Sequence, residues 1–248
     1  MTALLGAFVA LPGLALGSFL NVVAARVPER RSVVRPGSAC PSCSTEIAWY
    51  DNIPVVSWML LRGRCRTCDT RIGVVYPLVE LATAGLLVAC VLDFGLTFRT
   101  AAAAVLCVAL VVVTATDLTH RIVPNVVVLP AAVAAFVLMT AWRPSPEWAA
   151  GALGASGFLL LVALVYPGGM GMGDVKLALL MGAALGRFVP VALFVGMIFA
   201  LVPSIVLLAR HGSRARKMAI PFAPFLALGS LVALFGGHAI VHGYLTLF

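Results

Sequence analysis

The sequence predicts an all-α polytopic membrane protein with about eight transmembrane helices and a small polar insertion between the first two. Of the 248 residues, 62% are hydrophobic and only 10% are charged, and the mean hydropathy is +1.09. Soluble domains carry roughly a quarter charged residues. Apolar runs of roughly 18 residues alternate with charged or Pro/Gly-rich breaks along the chain, which is the pattern of successive membrane spans.

These breaks divide the chain into eight predicted spans. The sixth is too short to cross an average bilayer as an untilted helix. It is tilted, continues past Arg187, or forms part of a broken helix that lines a cavity, where irregular backbone is tolerated at membrane depth. The predicted spans cover residues 2–25, 74–92, 100–116, 123–141, 148–166, 175–187, 189–209 and 220–245.

The distribution of basic residues predicts the orientation. If the N-terminus faces outside, most of the 17 lysines and arginines lie inside, and the outer side keeps Arg99, Arg143 and Arg187. Cytoplasmic loops are enriched in these residues, so both termini are predicted outside, and the polar insertion is predicted inside. The first apolar run lacks a preceding basic region and is interpreted as a retained span. Arginine clusters between apolar runs indicate topology, and nucleic-acid binding is not expected.

We interpret residues 1–248 as a single integral-membrane domain. Within it, residues 26–73 form a cytoplasmic insertion and residues 74–248 form the transmembrane core. The insertion is too short to bury a sufficient hydrophobic core and is therefore expected to need a covalent or metal staple.

Four cysteines in the insertion supply a candidate staple. Cys40 and Cys43 form one Cys-x2-Cys pair, and Cys65 and Cys68 form a second. Two such pairs at this separation predict a structural, tetrahedral four-thiolate zinc site. Disulfides and a redox dithiol are the alternatives, although thiols are kept reduced on the predicted cytoplasmic side. Cys90 and Cys107 lie in apolar spans and are expected to be small buried hydrophobes.

A glycine-rich stretch, residues 167–176, interrupts the apolar run from Trp148 to Leu208 and contains Asp174. A carboxylate at membrane depth is costly unless it faces protein or water. Gly168, Gly169, Gly171 and Gly173 allow tight turns and close approach by another chain. The alternative is that Asp174 caps a helix that begins at Val175.

Asp117 closes the third span on the same predicted side of the membrane as Asp174. The two carboxylates come from different helices, so the fold can bring them together. Two carboxylates that share a site cannot both be ionised at low cost, and the pair therefore holds one proton. This predicts aspartic-protease chemistry, with one carboxylate as general base toward water and the other as hydrogen-bond donor to the scissile carbonyl.

Other interpretations of these charges remain open. Asp117 can form an ion pair with Arg121, one helical turn further on. Lys176 either extends to the membrane interface or favours the ionised form of Asp174. A transporter would use Asp117 and Asp174 as an ion path beside a metal-binding lobe, and a non-catalytic assembly factor would use them structurally.

The motifs resemble those of bacterial type IV prepilin peptidases, which are polytopic aspartic proteases of the glycine-x-glycine-aspartate class. The resemblance covers nearly the whole chain, although glycine is usual where Ala223 stands. It is carried by Gly17-Ser-Phe-Leu-Asn21, Cys40-Pro-Ser-Cys43, Asp51-Asn-Ile-Pro54, Leu61-Arg-Gly-Arg-Cys65, Tyr76-Pro-Leu-Val-Glu80, Asp117, Gly171-Met-Gly-Asp-Val-Lys176 and the segment 220–228.

The resemblance implies catalytic roles for Asp117 and Asp174 and zinc ligation by the cysteines at 40, 43, 65 and 68. It also implies cleavage of the basic leader of prepilins or pseudopilins after a glycine, at the cytoplasmic face of the inner membrane, for pilus or secretion machinery. Many members then methylate the new N-terminus with S-adenosylmethionine, for which the sequence indicates no binding residues. We expect Gly171 and Gly173 to let an extended substrate backbone approach the site, with Lys176 as a further positioning residue.

Overall fold

The computed structural model describes residues 2–166, 169–212 and 220–246, without the side chains of residues 2–5 and His211. The chain divides into two compact units, Met1–Gly95 and Leu96–Phe248. Pro167 and Gly168 of the predicted glycine-rich stretch lie outside the described ranges, as do Arg214, Arg216 and Lys217, which are among the basic residues counted on the inner side.

The described residues form helices and turns, with two isolated β-bridges. Seven helical segments are long and apolar enough to cross a membrane, and one of these, Met172–Arg210, contains two consecutive helices. The all-α polytopic membrane fold is thus confirmed. The helices are α1 Thr2–Arg26, α2 Val56–Leu60, α3 Val75–Phe94, α4 Phe98–His120, α5 Asn125–Trp142, α6 Glu147–Val165, α7 Met172–Leu185, α8 Val189–His211 and α9 Ala223–Leu245, with 3-10 turns at Trp49–Asn52 and Gly186–Phe188.

In the first unit, α1 and α3 run antiparallel in close contact. A Cβ atom at Gly13 would lie 2.8 Å from the Cα of Ala84, and one at Gly17 would lie 2.6 Å from the Cα of Glu80. Spacing of small residues four apart lets two helix backbones approach within a membrane, where dispersion rather than water exclusion drives their packing. The polar lobe, residues 26–73, is inserted between these two helices.

In the second unit, α7 is the central element. Nearly every residue from Val175 to Leu185 is buried, and Leu177, Leu180 and Met181 are fully enclosed. A helix that is apolar all round is stable only when it is surrounded, and α4, α5, α6, α8 and α9 all pack against it.

The sixth predicted span corresponds to α7, which is short because Gly186 ends it. This glycine has a φ of 53°, and a side chain there would overlap the ring of Trp148. The chain then makes a 3-10 turn, and α8 begins at Val189. The α-helix therefore ends before Arg187, which lies in the 3-10 turn. The 14 residues of α7 extend about 21 Å, which is less than the roughly 30 Å of a hydrocarbon core.

We predict that Gly182→Ala destabilises the second unit. A Cβ atom at Gly182 would lie 2.2 Å from the carbonyl oxygen of Gly151, so α6 and α7 must separate, at a cost of about 1–3 kcal/mol. The matched control is Gly154→Ala on α6, where a Cβ meets nothing within 4 Å. The temperature of thermal unfolding in detergent should be lower for Gly182→Ala and unchanged for Gly154→Ala. Equal unfolding temperatures for the two variants would contradict this packing.

Candidate active site and metal centre

Asp117 lies in the last turn of α4 and is buried, with 7% of its surface exposed. Its Oδ2 atom accepts a hydrogen bond of 3.1 Å from the backbone N–H of Ala223, the first residue of α9. The first N–H groups of a helix have no partner within the helix, so the carboxylate also satisfies the start of α9. Asp117 is therefore held by two helices that are distant in sequence.

Asp174 lies in the first turn of α7, and Gly171 is the residue that precedes this helix. The helix begins at Met172, so the alternative in which Asp174 caps a helix starting at Val175 is wrong. The Asp174 carboxylate lies within electrostatic range of Asp117, and α4 and α7 pack against each other. The second unit thus brings together two carboxylates that are 57 residues apart in the chain.

The two glycines before Asp174 have different surroundings. A Cβ atom at Gly173 would lie 2.7 Å from the Cβ of Val123, in the turn between α4 and α5. Gly171 is exposed, and a Cβ there would have the Oδ2 atom of Asp174 as its nearest neighbour, at 3.6 Å. The absence of a side chain therefore lets α7 pack beside Val123 at Gly173, and leaves the carboxylate accessible at Gly171.

The two basic residues near the aspartates, Lys176 and Arg121, make contacts other than ion pairs with them. Lys176 donates a hydrogen bond of 3.0 Å from Nζ to Oδ1 of Asn125, at the start of α5. Arg121 is exposed and ends α4 in a left-handed conformation, with its backbone N–H bonded to the carbonyl of Asp117. Within the described residues, neither side chain forms an ion pair with Asp117 or Asp174.

A cavity of about 660 Å³ lies at the other end of α7 from Asp174. Gly151 and Phe158 of α6, Arg187 of the 3-10 turn and Phe194 of α8 contribute to its walls. Because α7 extends about 21 Å, this cavity is separate from the two carboxylates and has no part in the candidate active site.

Sequence reasoning missed the contacts of three residues that shape the carboxylate site. Val123 and Asn125 contact Gly173 and Lys176, and Ala223 donates its N–H to Asp117. The segment Pro221-Phe-Ala-Pro224 carried a signal, because proline in the first turn marks the start of a helix. This signal marks the start of the helix, but it does not indicate which residue the helix start contacts.

The four cysteines of the lobe form one cluster. Their sulfur atoms lie within 4.8 Å of one another, and the Sγ atoms of Cys40 and Cys68 are 3.7 Å apart. A tetrahedral ion with metal–sulfur bonds of about 2.3 Å places its ligand sulfurs about 3.8 Å apart. The thiols therefore fit a metal ion, whereas a disulfide requires about 2.05 Å between sulfur atoms.

The two cysteine pairs have the same local structure, repeated 25 positions apart. In each turn the first cysteine donates its N–H to the carbonyl of a threonine, Cys40 to Thr45 and Cys65 to Thr70. The second cysteine lies 3.3 Å from the hydroxyl of the same threonine. The threonine contact lowers the pKa of the Cys43 thiol to about 6, and backbone amides of Cys68 and Thr67 lower the pKa of the Cys65 thiol. These two shifts favour the thiolate form of Cys43 and Cys65, which is the form that binds metals, whereas the pKa of the Cys68 thiol is raised.

Arg66, between the cysteines of the second pair, connects that turn to Asp51. Its Nε and NH2 atoms donate to the two carboxylate oxygens of Asp51 at 2.7 and 2.6 Å. This bidentate contact holds the pKa of the Asp51 carboxyl below its usual value. Arg66 also lies over the Tyr50 ring, 5.7 Å from its centroid. The metal-site turn is thereby attached to the 3-10 turn before α2.

Glu80 is buried in α3, and its Oε2 atom accepts the backbone N–H of Val55 at 2.7 Å. Val55 has a φ of 62° and a ψ of −50°, and the N–H of Val56 lies 2.6 Å from the carbonyl of Pro54. This is a strained γ-turn, and the carboxylate fixes it in place.

Comparisons with known proteins agree with the resemblance drawn from the motifs. A family model described as "Bacterial Peptidase A24 N-terminal domain" matches residues 11–94, and one described as "Type IV leader peptidase family" matches residues 104–205. A Prepilin leader peptidase/N-methyltransferase of Bacillus subtilis is 34% identical over 95% of this chain and 96% of its own length. The protein of that name from Myxococcus xanthus is 41% identical over 86% of this chain and 67% of its own length. No solved structure matches.

We predict that Cys43→Ser lowers the metal bound by the purified protein, from about one ion per chain to a small fraction of that. The reason is that the remaining three thiolates leave one corner of the tetrahedron to a weaker ligand. Elemental analysis measures the metal, and limited proteolysis within residues 26–73 measures the folding of the lobe. The control is Cys107→Ala, which changes a cysteine buried in α4 and outside the cluster. Full metal content in Cys43→Ser would contradict the assignment.

Proposed function

Because this chain belongs to the type IV leader peptidase family, we propose that it is a membrane-embedded aspartic endopeptidase that cleaves the leaders of prepilins or pseudopilins. We propose that it also methylates the new N-terminus, using S-adenosylmethionine. The observation that supports the peptidase assignment is that buried Asp117 of α4 and partly exposed Asp174 of α7 lie within electrostatic range of each other, where these two helices pack together. A transporter is not supported.

The chemistry follows from the two carboxylates sharing one proton. The ionised carboxylate accepts a proton from water as the water oxygen attacks the scissile carbonyl carbon, and the protonated carboxyl donates a hydrogen bond to the carbonyl oxygen. Collapse of the tetrahedral intermediate then breaks the C–N bond, and a proton passes to the leaving amine. Enclosure by apolar helices strengthens each of these electrostatic interactions.

A structural role for Asp117 is the strongest rival interpretation, because its carboxylate satisfies the first N–H of α9. The two roles are compatible, since one oxygen accepts this hydrogen bond while the other remains available to a ligand. They differ in one respect that can be tested. An asparagine carbonyl can accept the same N–H, but an amide cannot exchange a proton with water.

The access of substrate to the carboxylates is proposed to occur beside Gly171. Its backbone φ of −77° and ψ of 142° is extended, so a substrate strand can lie alongside it and form main-chain hydrogen bonds. Gly173 and Lys176 are proposed to act as supports, through Val123 and Asn125. Gly173→Val would collide with Val123, so its effect on activity would not distinguish substrate contact from packing.

We propose that the metal of the lobe is zinc, held by Cys40, Cys43, Cys65 and Cys68. Four thiolates in tetrahedral geometry are the preferred ligands of structural zinc, and they leave no open position for a reactant. The ion would stabilise a lobe in which Cys40, Ser57 and Gly63 are the only buried residues between 27 and 73, all of which the structure describes. Its contribution is to folding, with no part in peptide hydrolysis.

We further propose that the protein is a multi-pass protein of the bacterial inner membrane, with both termini outside and the lobe and carboxylates on the cytoplasmic side. This orientation follows from the basic residues and places the site where a prepilin leader is accessible before export. The division into an insertion, 26–73, and a catalytic core, 74–248, is proposed on the same basis, as are contacts with membrane lipid and with pilus or secretion machinery. The structure assigns no residue to S-adenosylmethionine.

We predict that Asp117→Asn and Asp174→Asn each lower leader cleavage by at least about a hundredfold, the contribution of a general acid or base. The substrate is a prepilin with a basic leader ending in glycine, presented in lipid with matched enzyme amounts. Mass spectrometry of the product reports cleavage, and the same spectrum reports methylation. The control is Asp93→Asn, an exposed aspartate near the end of α3. Comparable cleavage by either active-site variant would overturn the paired-carboxylate mechanism.

We predict that Gly171→Val lowers kcat/KM for leader cleavage roughly tenfold without changing the unfolding temperature, because a side chain beside Asp174 blocks close approach of the substrate. The control is Gly157→Val on α6, where an added Cβ meets nothing within 4 Å. Equal activity of Gly171→Val and the parent protein would show that substrate does not pass beside this residue.

A further inference from the structure

The lobe exposes apolar side chains that its zinc-type fold does not account for. Trp49 is 81% exposed, Leu60 is 78% exposed and Met59 is 65% exposed. Exposed apolar groups are expected on the spanning helices, but a contiguous apolar surface on a polar segment marks an interaction site. We call residues 49–60 the interfacial segment; it comprises the 3-10 turn Trp49–Asn52 and the helix α2, Val56–Leu60.

The exposed apolar side chains of α2 share one face of the helix. At 100° per residue, Val56, Met59 and Leu60 fall within one arc of about 100°, and Ser57 lies outside it, about 110° from the centre of the arc. Ser57 is buried, donates its hydroxyl to the carbonyl of Tyr50 at 2.8 Å and accepts the N–H of Ile53 at 3.1 Å. The hydrogen bonds of Ser57 therefore join α2 to the preceding 3-10 turn, and the apolar side chains of α2 remain exposed.

Glu80 fixes the position of this segment relative to α3. Its carboxylate binds the N–H of Val55, immediately before α2, and Glu80 lies five residues into the candidate span Val75–Phe94. Five residues of helix correspond to about 7.5 Å. Glu80 also packs against Gly17 of α1, and that helix continues to Arg26. The start of α2 is therefore held beside the first turns of α3, at one end of a candidate span.

The chemistry of the segment matches a membrane interface. Tryptophan and tyrosine are enriched at membrane interfaces because their rings are partly apolar and partly polar, and Trp49 and Tyr50 are adjacent in an edge-to-face arrangement. Arg62 and Arg64 follow α2 directly, are exposed, and form no ion pair with a described acidic side chain. Guanidinium groups beside an inserted apolar face bind lipid phosphates.

We infer that the interfacial segment is an in-plane membrane anchor, whose apolar face inserts into the lipid leaflet while Arg62 and Arg64 contact anionic headgroups. Glu80 holds the anchor at its depth through Val55, and the Asp51–Arg66 contact attaches it to the metal-site turn. This inference is independent of the proposed peptidase activity, since it rests on the first unit alone.

Quenching of Trp49 fluorescence by brominated lipids tests the anchor. The full-length protein, with its metal bound, is reconstituted in vesicles of phosphatidylcholine and phosphatidylglycerol brominated either near the glycerol backbone or near the chain terminus. The difference between the parent protein and Trp49→Phe isolates the signal of Trp49. We expect lipids brominated near the glycerol to quench this signal at least about twofold more than the deeper label, with little quenching by aqueous acrylamide.

Two other results would overturn the inference. Strong quenching by acrylamide, with none by either lipid, would place Trp49 in water. Absence of quenching by lipid and by acrylamide would mean that protein covers this face. As a second variant, Met59→Glu combined with Leu60→Glu should lose the shallow lipid quenching of Trp49 while metal content is retained. The matched control is Val34→Glu, which alters an exposed apolar residue of the lobe outside the segment; it should keep the quenching.

Discussion

The whole structure depends on the requirement that a carboxylate within a membrane protein have a partner. Among the described residues the α-helices carry five carboxylates. Asp93 is exposed and Glu147 pairs with Arg143, and the other three lie close to groups on other segments. Glu80 accepts the N–H of Val55, Asp117 accepts the N–H of Ala223, and Asp174 lies in range of Asp117. In the first two cases the partner is a backbone N–H just before or at the start of another helix, so the charge also determines where that helix begins.

Glycine residues also bring two pairs of helices close together. Gly13 and Gly17 bring α1 against α3, and Gly151 and Gly182 bring α6 against α7. The buried α7 is shorter than a membrane-spanning helix, and this is tolerated because its neighbours, rather than lipid, surround it. Its N-terminal turn, which carries Asp174, therefore has a fixed place in the second unit.

The lobe obeys a different constraint, because it buries very few of its residues. Its four thiols form a cluster that could hold a metal ion, and the proposed ion would supply the folding energy that a hydrophobic core would otherwise provide. The repeated turns at Cys40 and Cys65 each use a threonine to order the second cysteine of the pair. The bidentate contact between Arg66 and Asp51 attaches the second of these turns to the interfacial segment, which carries the apolar face of the lobe.

The sequence by itself determined the fold class, the approximate spans and the four cysteines that cluster in the lobe, because hydropathy and ligand spacing are local properties of the chain. It also singled out Asp117 and Asp174 as the carboxylates at the inner ends of spans. Only the tertiary structure decided that Ala223 donates to Asp117, that Gly173 packs on Val123 and that Glu80 holds Val55. These contacts join residues 106, 50 and 25 positions apart. Such pairings depend on which helix faces meet, and a hydrophobic pattern that surrounds a helix on all sides does not specify a face.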